Sequence, residues 1–377
     1  MSYEDQEDHS ETAERRPLVA SVKSQARFGC RIFLAANEPF QKIVQRAQFC
    51  EKHGFDSVLI DDHLLYGTEA AAAPEPFTTL AAIAAGTRRI KVGIAVTDMV
   101  RRHPAIIAQS LATLSSQFPR RLFLGLGTGD SMNQSPFGLP TEQRYSRLRE
   151  GLQVIRQLWN SSIDKPASFK GRFFTLNNAY LQTGQEKQPM PPIYLAAFGP
   201  KMLRLAGEAA DGWIPHCHTP TTYKTDLEII KASARQAKRD LDEFRPAYYT
   251  LSSISTKRAE ADQNVLGPAR YFLALIPEAL KKIDPLANHP GRTWEKISYP
   301  KEQRETIRRI AAQIPESDAY NTVIHGTAED CIEQIKDYRK AGCKEFLLTF
   351  VPKGGLWSPA NLLSQIRRFS DKVITNW

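Results

Sequence analysis

Eight short apolar runs, most of them separated by segments of helical period, constrain this chain more than any other feature. The runs are Phe28–Leu34, Phe55–Ile60, Ile90–Val96, Leu122–Leu126, Ile193–Ala197, Gly212–Pro215, Ala247–Ser253 and Glu345–Val351. In Pro39–Lys52 the apolar positions Ile43, Ala47 and Cys50 recur at helical spacing. In Thr141–Trp159, Leu148, Leu152, Ile155 and Trp159 mark one face, with Thr141 as a suitable N-cap. Strands alternating with helices imply a parallel sheet, and eight strands close a barrel. Ile90–Val96 is apolar throughout, as a strand covered on both faces should be. The predicted fold is an α/β (β/α)8 TIM barrel with insertions.

The barrel is expected to fill residues 25–377 as one domain, which is within reach of a 377-residue chain. Two segments exceed a minimal barrel. Residues 160–192 read as an irregular insertion with a hairpin (Phe169–Phe174, then Ala179–Gln182), and 267–317 adds helices before the last strand. Such insertions build substrate walls or subunit contacts. Residues 1–24 are rich in Glu, Asp, Gln and Ser without an apolar core, and read as a disordered tail rather than a secretory signal.

Composition removes several classes of function. No apolar stretch approaches the roughly 20 residues of a membrane span. Five cysteines without a Cys-x-x-Cys pair argue against a disulfide scaffold or zinc ribbon and for a reducing cytoplasm. The net charge of +9 is spread along helices with no aromatic–basic motif, so no nucleic-acid partner is expected.

In a barrel the active face lies at the carboxyl ends of the strands, and polar clusters stand at five of them. They are Asp61-Asp62-His63, Thr97-Asp98, Thr128 to Asn133, Ala196 to Pro200, and His216-Cys217-His218. The glycines of Gly125-x-Gly-x-Gly129 bring bare backbone close to whatever lies beyond the fourth strand. A dinucleotide fingerprint needs a helix starting inside the glycine run, whereas here Asn133, Pro136, Gly138 and Pro140 delay it to about Thr141. A flat cofactor approaching the backbone and a purely structural turn both remain open. The helix starting near Lys201 suits a phosphate or is an ordinary turn. His216-x-His218 lacks a third ligand of suitable spacing, so substrate contact or surface placement is expected and no metal. Of Asp61 and Asp62, which point opposite ways along a strand, one is expected to serve the loop and the other to face a ligand.

Several of these stretches carry a family resemblance. Phe55-Asp-Ser-Val-Leu-Ile-Asp-Asp-His63, Val92-Gly-Ile-Ala-Val-Thr-Asp98, His103-Pro-Ala-Ile-Ile-Ala-Gln109, Phe123-Leu-Gly-Leu-Gly-Thr-Gly129 and Ile193-Tyr-Leu-Ala-Ala-Phe-Gly-Pro200 resemble the bacterial-luciferase-like superfamily. Within it they are most similar to the branch that uses the deazaflavin coenzyme F420. Val96-Thr-Asp-Met-Val-Arg-Arg-His-Pro104 and Gly199-Pro-Lys-Met-Leu-Arg204 are closest to its ketoreductases.

The resemblance implies roles. Asp62 lies against the deazaflavin ring and His63 beside the reacting carbon, as proton donor or acceptor. Ala95 and Val96 match a non-proline cis peptide that bulges against the ring. Asp98, Thr128 and Asn133 contact the cofactor. Ala197, Phe198, Gly199, Lys201 and Met202 bind its phosphate. Asp130 stands where the sugar-phosphate dehydrogenases have a catalytic Glu, one methylene shorter. The implied enzyme is a homodimeric F420-dependent reductase of a carbonyl or activated C=C or C=N bond. Its partner is a small-molecule substrate; the residues themselves, the apolar strand ends with Phe173, Phe174, Phe198 and Trp213 around the site, suggest a fairly large one. An FMN-dependent monooxygenase and a non-catalytic flavin-binding relative are the alternatives.

Overall fold

The computed structural model describes residues 26–66, 68–183, 189–283 and 301–377. The expected N-terminal tail and part of the second insertion, 284–300, lie outside the described residues. Eight parallel strands close a barrel: β1 (Arg27–Arg31), β2 (Ser57–Ile60), β3 (Lys91–Thr97), β4 (Leu122–Leu126), β5 (Ile193–Leu195), β6 (Gly212–Trp213), β7 (Arg245–Ile254) and β8 (Glu345–Phe350). Each pairs with the next, and β8 returns to β1 through Arg27 to Cys30 against Glu345 to Leu348. This is the expected (β/α)8 barrel, with each predicted run in its place and the sixth strand shorter than predicted.

Helices α1 (Gln41–Lys52), α2 (Pro76–Gly86), α3 (Pro104–Gln117), α4 (Arg144–Trp159), α5 (Pro200–Ala209) and α6 (Pro220–Gln236) link consecutive strands. Between β7 and β8 stand α7 (Arg258–Leu275), α8 (Pro277–Ile283), α9 (Lys301–Gln313), α10 (Glu316–Tyr320) and α11 (Ala328–Lys340), and α12 (Leu362–Lys372) follows β8. An unpredicted short strand, Ile324–Gly326, pairs with the end of β7.

Two local expectations are corrected. Helix α4 starts at Arg144 rather than at a Thr141 cap, because Gln143 takes a left-handed conformation at φ 55°. The hairpin pairs Ala167–Lys170 with Thr175–Ala179, several residues earlier than predicted. Its turn is set from outside: the Glu150 carboxylate of α4 accepts the N–H groups of Arg172 at 3.0 Å and Phe173 at 2.8 Å.

Alternation along the strands decides what fills the barrel. Leu59, Phe123, Tyr194, Ile214, Ala247 and Leu347 form the interior cluster, with Ala95 and Tyr249 packed against it. Two residues further along each strand, the same face carries Asp61, Gly125, Ala196, His216, Tyr249 and Thr349. Ala95 and Arg31 complete this upper layer. It is lopsided: β3, β4 and β5 contribute Ala95, Gly125, Gly127 and Ala196, while the other strands contribute large polar groups. The barrel mouth therefore has a shelf of small residues facing a polar wall.

Candidate active site

His63 lies in the loop after β2, half-buried, with its orientation set by Asn133. The Asn133 Oδ1 accepts the backbone N–H groups of Leu64 at 2.6 Å and Leu65 at 3.0 Å, which fixes the amide the right way round. Its Nδ2 therefore donates. One acceptor is His63 Nδ1 at 2.7 Å, and the others are both Asp130 oxygens at 3.2 Å. Asp130 Oδ1 also accepts the Asn133 N–H at 2.9 Å. Because Nδ1 is an acceptor, the neutral imidazole carries its proton on Nε2. The ring packs on Tyr66 at 4.8 Å, Tyr66 packs on Trp357 at 4.5 Å, and the Tyr66 hydroxyl donates to Asp61 at 3.1 Å.

The carboxylates of this region are spent on arginines. Asp61 points into the barrel and receives Arg31 Nε at 2.8 Å. Burial alone would raise its pKa, but the charge and hydrogen bonds of Arg31, with His63 and the Tyr66 hydroxyl, together outweigh it and hold the carboxyl below its usual range. Asp62 faces the other way and pairs with Arg101 at 2.7 Å and with Arg102. Asp98 takes Arg101 Nε at 2.6 Å and the N–H groups of Val100 and Arg101 at 2.8 and 2.9 Å. The side chains of Asp62 and Asp98 are 1% and 2% exposed. Of the expected cofactor contacts, then, Asp62, Asp98 and Asn133 are buried in protein contacts and stand behind the mouth, whereas Thr128 is half-buried at its edge.

Of the two causes the sequence leaves open for the glycine run, the structure shows a structural one. The Ala95–Val96 peptide bond is cis, and the register between β3 and β4 shifts there. A Cβ on Gly125 would lie 2.6 Å from the Ile94 carbonyl oxygen and 2.9 Å from Val96 Cγ1, and one on Gly127 2.8 Å from Val96 Cγ2. These glycines make room for the neighbouring strand's bulge. Gly129 has φ +76° and lies against Asp98 and Gln134. Gly125→Ala is expected to lower stability by about 1–3 kcal/mol, because a backbone carbonyl must move; a fall in the urea midpoint at constant slope reads it.

At the end of β5 the Ala197 side chain is fully buried, and its carbonyl accepts Trp213 Nε1 at 2.9 Å. Phe198 and Gly199 are half-buried, and Pro200 opens α5 with no side-chain cap. A Cβ on Gly199 would meet nothing within 4 Å, so this helix start faces open space. Lys201 is exposed there, and Met202 packs on the core. The Phe198 carbonyl accepts Lys282 Nζ at 3.0 Å, and Lys282 also pairs with Asp226. His218 is buried between Asp226 at 2.9 Å and the His216 carbonyl at 2.8 Å. His216 donates elsewhere, to the Tyr249 carbonyl at 2.8 Å. The two histidines serve separate networks. Trp213 points out of the barrel onto Tyr223 at 4.8 Å, Phe173 lies under Arg147, and Phe174 meets His103. These three expected substrate-wall aromatics are corrected to packing residues.

The family described as luciferase-like monooxygenase matches residues 21–345. The chain belongs to the luciferase-like family. A curated relative named F420-dependent glucose-6-phosphate dehydrogenase, from Nakamurella multipartita, is 32% identical over 85% of this chain and 89% of its own. The phthiodiolone/phenolphthiodiolone dimycocerosates ketoreductase of Mycobacterium bovis is 29% identical over 81% and 86%. Among solved structures, an F420-dependent secondary alcohol dehydrogenase in complex with an F420-acetone adduct superposes with a TM-score of 0.75 at 27% identity, covering 93% of this chain and 98% of its own.

In this luciferase-like barrel, sequence reasoning overlooked Arg31, Arg101, Arg102, Tyr66 and Trp357, which hold the mouth in shape. Arg31 had a signal: it interrupts an apolar strand, where a charge survives only if paired. Trp357 had none, since its loop meets Tyr66 and the Arg31 guanidinium only in space. All five cysteines are buried and unpaired. Among the described residues, no helix is long and apolar enough to cross a membrane.

Proposed function

We propose that the chain is an oxidoreductase that moves hydride between coenzyme F420 and a carbonyl carbon, or an activated C=C or C=N bond, of a small to medium organic substrate. The reducing direction is the physiological one in this reading. The observation that carries it is the lopsided mouth: a shelf of small residues suited to a flat ring, with a histidine Nε2–H held at its rim. The names of the luciferase-like relatives support the choice of cofactor.

The residues present fit that cofactor. Ala95, Val96 and Thr128 are half-buried on the shelf, where a ring would rest. The open start of α5, with unpartnered N–H groups at Lys201 and Met202 and the exposed Lys201 ammonium, would take a phosphate. Ala197, Phe198 and Gly199 contribute backbone to the same place. Asp62, Asp98 and Asn133 act by holding the loops that form the ring's surroundings. When bound, the deazaflavin supplies hydride chemistry without ready activation of oxygen.

His63 holds its proton at Nε2 toward the substrate oxygen, where negative charge grows as hydride reaches the adjacent carbon. A neutral, oriented donor stabilises that charge without reorganising. Asp130 engages Asn133 through both oxygens, so it acts as a positioning residue through Asn133 and His63. With a carbonyl substrate, the oxygen so stabilised would take its proton from solvent to complete the alcohol, and His63 would keep its own. The working assembly is read as a cytoplasmic homodimer, and the unpaired cysteines favour the reducing compartment.

The test is cofactor binding by the purified apoprotein. F420 is expected to bind and quench tryptophan fluorescence saturably, while FMN does not compete. Tight FMN binding with no affinity for F420 overturns the reading in favour of a flavin monooxygenase.

A further inference from the structure

The upper layer of the barrel holds polar atoms that the fold itself does not use. Among the described residues, His216 Nε2 is buried with no hydrogen-bond partner, and the same holds for Arg31 Nη1 in that layer. Their chemistry is opposite. His216 Nδ1 faces the Tyr249 carbonyl, which can only accept, so the proton sits on Nδ1 and Nε2 presents a bare lone pair. Burial pushes the His216 pKa down to about 4, so the ring stays neutral near neutral pH. It cannot turn aside either: Tyr249 lies edge-on at 5.2 Å and Phe272 of α7 at 4.7 Å. His216 stands two residues beyond Ile214 of the interior cluster, so it points into the barrel mouth.

We propose that His216 is a specificity residue, whose Nε2 accepts a hydrogen bond from a substrate hydroxyl other than the reacting oxygen. The inference rests on the mouth being the substrate site, as read above. A buried acceptor left unpaired is unfavourable, and such groups persist where a ligand completes them. A hydroxyl suits the layer better than an ammonium. Among the described residues, the only buried carboxylate of that layer, Asp61, is already engaged by Arg31, so nothing there offers an ammonium a counter-charge. His63 offers a proton and His216 offers a lone pair, so the two histidines distinguish the reacting oxygen from the recognised one. Phe272 belongs to the insertion between β7 and β8, so that segment walls this side of the mouth.

The test uses 4-hydroxycyclohexanone and cyclohexanone with reduced F420, on the wild type, His216→Leu and His216→Gln. His216→Leu should raise KM for the hydroxyketone about tenfold, the loss of one buried hydrogen bond. Its kcat, its handling of cyclohexanone and its F420 affinity should stay at wild-type values. His216→Gln, which restores an acceptor, should recover most of the loss. Equal effects on both ketones, or an effect on neither, overturn the proposal. A second arm needs no cofactor: in histidine-15N-labelled apoprotein, His216 Nε2 should appear unprotonated and shift with the hydroxyketone but not with cyclohexanone. A protonated Nε2, or no shift at saturation, overturns it. If F420 fails to bind while that shift persists, the hydride reading falls and the His216 assignment stands.

Discussion

His63→Ala is expected to lower F420-linked turnover by about 10²–10⁴-fold, the usual contribution of a positioned proton donor, while the dissociation constant for F420 stays near the wild-type value. The split follows from the geometry. The imidazole is held through Nδ1 by Asn133 and along its face by Tyr66, and neither contact belongs to the small-residue shelf. Removing the ring leaves the shelf and the open start of α5 unchanged. Stopped-flow oxidation of reduced F420 by a ketone measures the first quantity, and fluorescence titration the second. Turnover close to that of the wild type would remove His63 from the chemistry. Loss of cofactor affinity with an intact rate of hydride transfer would make it a binding residue instead.

Arg101→Met should destabilise the protein by about 3–5 kcal/mol, the range for breaking a buried ion pair by removing one partner. Arg101 bridges Asp62 and Asp98, with its own side chain only 6% exposed. Burial opposes its charge, but the two carboxylates more than offset this and raise its pKa. Without it, two carboxylates that see almost no water lose the cation between them. Arg102 still reaches Asp62, and backbone N–H groups still reach Asp98, so the chain is expected to fold with a lowered urea midpoint. Adding Asp98→Asn should recover part of the loss, since the charge left stranded is then gone. A midpoint unchanged by Arg101→Met would show that the bridge contributes nothing to stability.

The barrel was legible because each strand is an apolar run long enough to stand out and the helices between them keep one period. Ile324–Gly326 escaped notice because three residues carry no period. The hairpin register escaped because Glu150 on a helix sets its turn. At the site, the polar clusters after the strands marked the right end of the barrel, and His63 and Asn133 do meet there. Partnership was harder to read. Asp61 finds Arg31 thirty residues away and Asp62 finds Arg101 thirty-nine away, and only the folded chain decides which carboxylate is consumed. The glycines were hard to read for a related reason, since the strand bulge that needs their space comes from a neighbouring strand.

Among the described residues, the helices inserted between β7 and β8 reach the mouth through Lys282, which holds the Phe198 carbonyl where a phosphate would sit, and through Phe272, which braces His216. Neither contact involves the loops that carry His63 and Asn133. Phe272 lies on α7 and Lys282 on α8, so changes within this one stretch of chain would reach the His216 side and the α5 side of the mouth separately, without touching the loops that hold His63. A directed library confined to α7 and α8 would exploit the same division of labour.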